Sequence, residues 1–254
     1  MMNDKLPAGL DQLWRRLDEP ATEPRPGLSL SRIVLAAVEV ADTGGLDAVS
    51  MARIAERLGF TTMSLYKHVK SKNELLLLML DSVAVVPAGL DEPGDDWRPG
   101  LRRWCEAQWS MLRAHTWIVH VPVAGPPITP NQLAWTDRAL RTLRGTGLTE
   151  ADKAGVVLLV ANYMLTTARL STDLGPAASG ESVAAYSALL SDLVDAQRFP
   201  ALRTAVDAGA FDYPPDATEE EQQFTYAFGL ERILDGVATL IQRRADRAAL
   251  PPTP

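Results

Sequence analysis

The stretch Ser50–Lys72, SMARIAERLGFTTMSLYKHVKSK, decides how the rest of the chain is read. Ser50 is an N-cap, its oxygen placed to accept from an orphan backbone N–H. Ile54, Ala55 and Leu58 recur at helical spacing and make one apolar face. Gly59 supplies the left-handed turn that closes this first helix cheaply. Phe60 is expected in the angle between two helices, and Thr61 as the cap of the second. That second helix shows Leu65 and Val69, four apart, to the core. Its other face carries Thr62, Met63, Ser64, Tyr66, Lys67 and His68. A helix with a small apolar base and a hydrogen-bonding outer face suits the major groove of DNA.

The whole chain has 254 residues, 46% hydrophobic and 22% charged, enough for one large domain or two smaller ones. Its net charge of −7 excludes a nonspecific nucleic-acid binder, but the charge is unevenly placed. Residues 25–80 hold seven Lys+Arg against five Asp+Glu, or +2; residues 1–24 give three minus five, and residues 81–254 fifteen minus twenty-two. The sign suits a DNA-facing N-terminal module on an acidic body. Cys105 is the only cysteine, and His68, His115 and His120 are too scattered for metal-ligand spacing, so no metal and no cofactor is expected. No signal peptide is seen, and the apolar run Val156–Ala161 is far short of a membrane span. The expected location is the cytoplasm, with no membrane partner.

Outward from the opening stretch the reading is helical throughout. Residues 1–28 form an extension in which Leu10, Leu13, Trp14 and Leu17 follow an amphipathic pattern before Pro20, Pro24 and Pro26 force an extended tether. Two readings stand for it: a tail or helix docked on the body, or a minor-groove arm using Arg15, Arg16 and Arg25. Ser31–Ala41 is a helix ended by Gly44-Gly45, and Ser71 with Glu74 is a capping box for a helix that stops near Pro87. Residues 87–96 are a turn-rich joint. Beyond it, helices begin at Asp95 or Asp96, at Thr129-Pro130, at Thr149, and at a second capping box, Thr218 with Glu221. The Thr149 helix is apolar nearly all round and is expected to be buried on most sides. The fold expected is all-α: an extension over 1–28, a three-helix helix-turn-helix domain over 29–86, and a helical ligand-binding and dimerisation domain over 87–254.

Residues 29–83 resemble the DNA-binding domain of the TetR (tetracycline repressor) family. The resemblance rests on Gly44-Gly45-Leu46, a Ser50-capped helix ending Leu58-Gly59, and Ser64-Leu65-Tyr66-x-His68-Val69-x-x-Lys72-x-x-Leu75. It extends more loosely to Arg113-x-His115-x-Trp117, where Thr116 stands at a common proline position, and to the Phe228–Gly236 segment. It implies a homodimeric repressor that binds a palindromic double-stranded operator and is released by a small-molecule effector. A transcriptional activator, or control by a protein partner, is the alternative. By family position Ser50, Thr62, Met63, Ser64, Tyr66, Lys67, His68 and Lys72 face DNA. Lys67 suits guanine O6/N7 and Met63 a thymine methyl, whereas Thr62, Ser64, Tyr66 and Lys72 suit phosphates. For His68, packing between helices is an equal alternative. Ala52 occupies a position where the family often has arginine, and Arg53 points about 100° away, so no operator sequence is carried over.

The expected ligand-binding set is Trp104, Trp109, His115, Trp117, Trp135, Asn162, Tyr163, Thr166 and Arg169, flat rings and polar tips on helices that should pack together. Asn162, Thr166 and Arg169 share one helix face; the alternative is that the first two bond within the core and Arg169 pairs with an acid. The aromatic content favours a flat, partly apolar effector such as an antibiotic or related natural product. Catalysis is not expected, because Cys105 lies in an apolar Trp104/Trp109 stripe with no acid to orient a base.

Overall fold

Four hydroxyl side chains in extended backbone set the N-terminal helices. Ser29 accepts from the Arg32 amide at 3.3 Å, Ser50 from Arg53 at 3.2 Å, Thr61 from Ser64 at 3.3 Å and Ser71 from Glu74 at 3.1 Å. Each takes one of the amides that a helix start leaves unbonded. The computed structural model describes residues 13–14, 27–90, 96–122, 125–174, 180–212 and 219–249, and every regular element among them is helical. The helices are α1 (Leu30–Gly44), α2 (Met51–Leu58), α3 (Thr62–Tyr66), α4 (Lys72–Val83), α5 (Trp97–Ala114), α6 (Pro130–Thr142), α7 (Glu150–Leu174), α8 (Gly180–Leu193), α9 (Pro200–Asp207) and α10 (Glu219–Ala249). Single 3-10 turns occupy Leu46–Ala48 and Thr116–His120.

Helix α1 runs longer than the Ser31–Ala41 expected from sequence, because Ser29 caps it earlier and Gly44 is its last residue. The two glycines there do different work. Gly45 has φ of 74°, a left-handed position. Gly44 is needed for space, since a Cβ on it would lie 2.8 Å from that of Ala48. The Ser71 capping box also differs in detail. Glu74 is buried, and its carboxylate accepts from the amide of Lys70 at 2.8 Å, one residue ahead of the cap.

Around α1 lies one core. Ile33, Ala37, Ile54, Leu65, Val69, Leu75 and Met79 are fully buried in it, and Trp117 joins them from the 3-10 turn after α5. The start of α6 is held by the same layer. Thr129 stands at its N-cap but makes no capping bond, contrary to the sequence expectation; its side chain is buried and its hydroxyl has no partner among the described residues. Asp81 of α4 does that work from outside. Its carboxylate accepts from the Asn131 amide at 2.8 Å and from Asn131 Nδ2 at 3.3 Å, and its carbonyl accepts from Nδ2 at 2.8 Å. A carboxylate at a helix N-terminus meets both the orphan amides and the positive end of the dipole.

The chain divides into two compact units, one of residues 1–168 with 237–254 and one of residues 169–236. Helices α7 and α10 run through both. In the first unit Thr149 opens α7 reciprocally, accepting from the Asp152 amide at 3.1 Å while its own amide donates to Asp152 at 3.2 Å. Arg244 of α10 reaches Asp152 at 2.8 Å. The Thr149 hydroxyl first, then Arg244, holds the Asp152 carboxyl below its ordinary pKa. In the second unit Arg203 donates to the carbonyls of Ser191 and Val194, closing the end of α8. The short helix α9 was not expected, although Pro200 at its first turn and Gly209 just beyond its end are ordinary start and stop signals. Asp95 and Thr218, offered as caps, lie outside the described residues; Asp96 precedes α5 without a side-chain bond.

The expectation that α7 is buried on most sides is overturned. Val156, Val157, Val160, Met164 and Ala168 are buried, but Leu158, Leu159, Leu170 and Leu174 are exposed on the single chain. At 25 residues α7 is also long and apolar enough, by length and composition alone, to cross a membrane.

Two stability measurements check this layout. Asp81→Ala should lower the urea midpoint by an amount equivalent to about 1–3 kcal/mol, and adding Asn131→Ala should cost much less than the sum of the two single changes. Gly44→Ala should destabilise by about 1–3 kcal/mol, since Ala48 offers a backbone-fixed methyl that cannot swing aside.

Candidate nucleic-acid interface

The turn between α2 and α3 is built from backbone. Gly59, at φ 72° and ψ 29°, ends α2 in the left-handed conformation, and its amide donates to the carbonyls of Ala55 and Glu56. The Phe60 amide also returns to Ala55 at 2.9 Å, so the chain leaves α2 through a closed pair of bonds. Thr61 then caps α3, and its hydroxyl meets that of Ser64 at 2.9 Å. Phe60 is not tucked between the helices as expected. It is 37% exposed, with the Arg32 guanidinium 6.0 Å from its ring centre.

Helix α3 has only five residues. Val69 lies beyond it, yet its amide still bonds Leu65 at 3.0 Å, and both side chains are fully buried. These two anchors leave the other side outward. Met63 is 72% exposed and Tyr66 47%; Lys67 and Lys72 are exposed, and Thr62, Ser64 and His68 are half-buried beside them. Ser50 stands at the start of α2 with its oxygen committed to the Arg53 amide. Arg53, Lys67, Lys70 and Lys72 are exposed and have no carboxylate at ion-pair distance among the described residues, whereas Arg57 of α2 pairs with Glu39 at 2.7 Å. The face therefore combines uncompensated cations with short donors and acceptors, the chemistry that a phosphate backbone and base edges require.

The aromatic residues expected to line a ligand site are largely structural. Trp104 and Trp135 are buried, edge to face, with centroids 5.7 Å apart. The Trp104 indole donates to the Trp135 carbonyl at 2.9 Å, and the Trp135 indole to the Ala84 carbonyl at 2.9 Å. Trp117 is buried and donates to Asp42 Oδ1 at 2.8 Å, the same oxygen that His115 Nδ1 meets at 2.8 Å. Asp42 thus fastens the 3-10 turn to α1. It was not singled out from sequence, where it reads as one more polar residue near a helix end. Trp109 is half-buried on α5.

On α7, Asn162 and Thr166 are exposed and Tyr163 half-buried. Asn162 donates to the Leu158 carbonyl one turn earlier, and Arg169 faces Asp173 at 3.5 Å. Cys105 is buried, and desolvation, with Glu106 adding, pushes its thiol up to about 12. No nucleophilic thiolate forms there at neutral pH.

Two family models match the chain. That described as "Bacterial regulatory proteins, tetR family" covers residues 33–79, and "Tetracyclin repressor-like, C-terminal domain" covers residues 89–241. The HTH-type transcriptional repressor DrrR1 of Streptomyces coeruleorubidus is 32% identical over 252 residues, spanning 94% of this chain and 88% of the relative. The class A tetracycline repressor from transposon 1721 of Escherichia coli is 27% identical, over 83% of this chain and 91% of its own. Among solved structures, Streptomyces coelicolor ActR in complex with actinorhodin superposes with a TM-score of 0.70 at 26% identity, over 84% of this chain and 97% of ActR. With two family models covering most of its length and a helix-turn-helix that presents open cations, the chain belongs to the TetR family of DNA-binding transcription regulators and is not an enzyme.

Proposed function

We propose that the protein is a ligand-released transcriptional repressor that grips a palindromic operator as a homodimer. The observation that carries this is α3, whose Leu65 and Val69 are fully buried while Met63, Tyr66 and Lys67 stand out to solvent. In this reading Lys67 donates to guanine O6/N7 and Met63 meets a thymine methyl. Thr62, Ser64, Tyr66 and Lys72 hold phosphates, His68 supports the end of the helix, and Ser50 presents the start of α2 to the backbone. A dyad places two such helices in half-sites about 34–36 Å apart.

The apolar face of α7 supports the dimer. Leu158, Leu159, Leu170 and Leu174 are exposed on one chain, an arrangement suited to an obligate apolar interface. The same covering accounts for a helix apolar enough for a membrane in a cytoplasmic protein.

The effector reading draws on the ActR complex with actinorhodin and on the name of the repressor DrrR1. Because the indoles of Trp104, Trp117 and Trp135 and the His115 ring are engaged internally, effector contact falls chiefly to Trp109, Asn162, Tyr163, Thr166 and Arg169. The favoured ligand is a flat, partly apolar natural product. It acts by population shift, moving the equilibrium only by its differential affinity for the state that cannot bind DNA.

With an operator selected from random duplexes, affinity should fall about a thousandfold between 50 and 200 mM salt if the dimer neutralises about six phosphates. A salt-independent gel shift would refute the interface. Tyr66→Ala and Lys72→Ala should weaken binding to all duplexes alike, whereas Lys67→Ala should relax base preference, at about 1–3 kcal/mol per lost base contact. In titrations with aromatic natural products, actinorhodin included, a compound that binds the protein should also release operator. Binding without release throughout the panel would sink the sensor reading.

A further inference from the structure

Beside the start of α6, a groove of about 620 Å³ opens between α1 and α4. Its walls are mainly apolar, with Leu30, Val34 and Leu35 from α1 facing Leu78, Val83 and Val85. Leu35 and Val85 are 61% and 63% exposed, so the groove leaves two large aliphatic side chains open to water. It lies on the DNA-binding helices, away from the polar face of α7, and neither operator nor effector binding uses it.

The chain itself supplies an occupant. Leu13 already lines the groove and packs against the N-terminal core. Trp14 is helical and half-buried, and its indole donates to the carbonyl of Ile128, two residues ahead of α6, at 3.3 Å. Around this pair the sequence places Leu10 and Leu17 on the same helical face, with Asp11, Arg15 and Asp18 turned from it. Residues 15–26 separate this pair from Gly27, where the described chain resumes just before α1. Twelve residues reach up to about 40 Å when extended, ample to return along a groove beside α1.

We propose that residues 10–17 form a helical strap seated in the α1–α4 groove, with Leu10, Leu13 and Leu17 covering Leu35 and Val85 and with Trp14 fastened to Ile128. The strap joins the DNA-binding helices to the opening of α6, the same two parts that Asp81 and Asn131 tie together. It assigns the N-terminal extension to the protein's own surface and not to the minor groove.

Hydrogen exchange on the full-length protein tests this. Amides of residues 10–17 should exchange at least about tenfold more slowly than unstructured chain, with or without a selected duplex. Leu13→Asp on the strap and Leu35→Asp on the opposite wall should each abolish that protection while leaving exchange in α5 unchanged. Leu35 is already exposed, so its change does not threaten the fold. Unprotected exchange in the wild-type protein would overturn the proposal. Protection that appears only when duplex is added would assign the segment to DNA, and protection surviving both aspartates would place it on another surface. Each result counts against the strap.

Discussion

The carboxylate of Asp81 does for α6 what no residue of that helix does for itself. Thr129 buries its hydroxyl, and the first free amide of α6 is taken by a side chain from α4, the helix that follows the recognition element. The bond is part of a longer chain of contacts. Just past α4, the Ala84 carbonyl accepts from Trp135 of α6, whose own carbonyl accepts from Trp104 of α5. Three helices therefore meet through buried donors that have no water to fall back on, where an unmade bond is expensive. Any movement of the α6 opening has to carry the end of α4 with it or break that series.

A second carboxylate works in parallel. Asp42 receives both Trp117 and His115 on one oxygen, so the turn after α5 is fixed to α1. The N-terminal core thus includes an indole that arrives from seventy-five residues further along the chain. This explains why spatial proximity groups the DNA-binding helices with α5 and α6 in one unit, although the family models divide the sequence between residues 79 and 89.

Much of this architecture was legible in the residues. Ser50, Thr61 and Ser71 are caps, Gly59 is the left-handed stop, and Leu65 with Val69 is the buried base, because capping and period are local properties that sequence writes directly. What sequence did not show are pairings across distance. Asp42 and Asp81 look like ordinary acids near helix ends, and nothing in their neighbours announces Trp117 or Asn131. The tryptophans were read as pocket walls because flat rings with polar tips suit ligands equally well; only their partners show that the N–H groups of Trp104, Trp117 and Trp135 are spent on carbonyls and a carboxylate. Helix α7 was misjudged for a related reason. Its apolarity says that it is covered, but a single chain leaves four of its leucines exposed. Helix α9 carried signals that went unread.

The brevity of α3 has a consequence for how such a protein changes over generations. Five residues are far too few to hold a helix alone, since isolated helices shorter than about 12–15 residues are marginal in water. Its shape is dictated by Leu65, Val69 and the Thr61 cap. Met63 and Lys67 contribute almost nothing to that shape. They are free to be exchanged while the scaffold stays intact, so a lineage can drift to new target sequences through fully folded intermediates, with recognition and stability inherited separately.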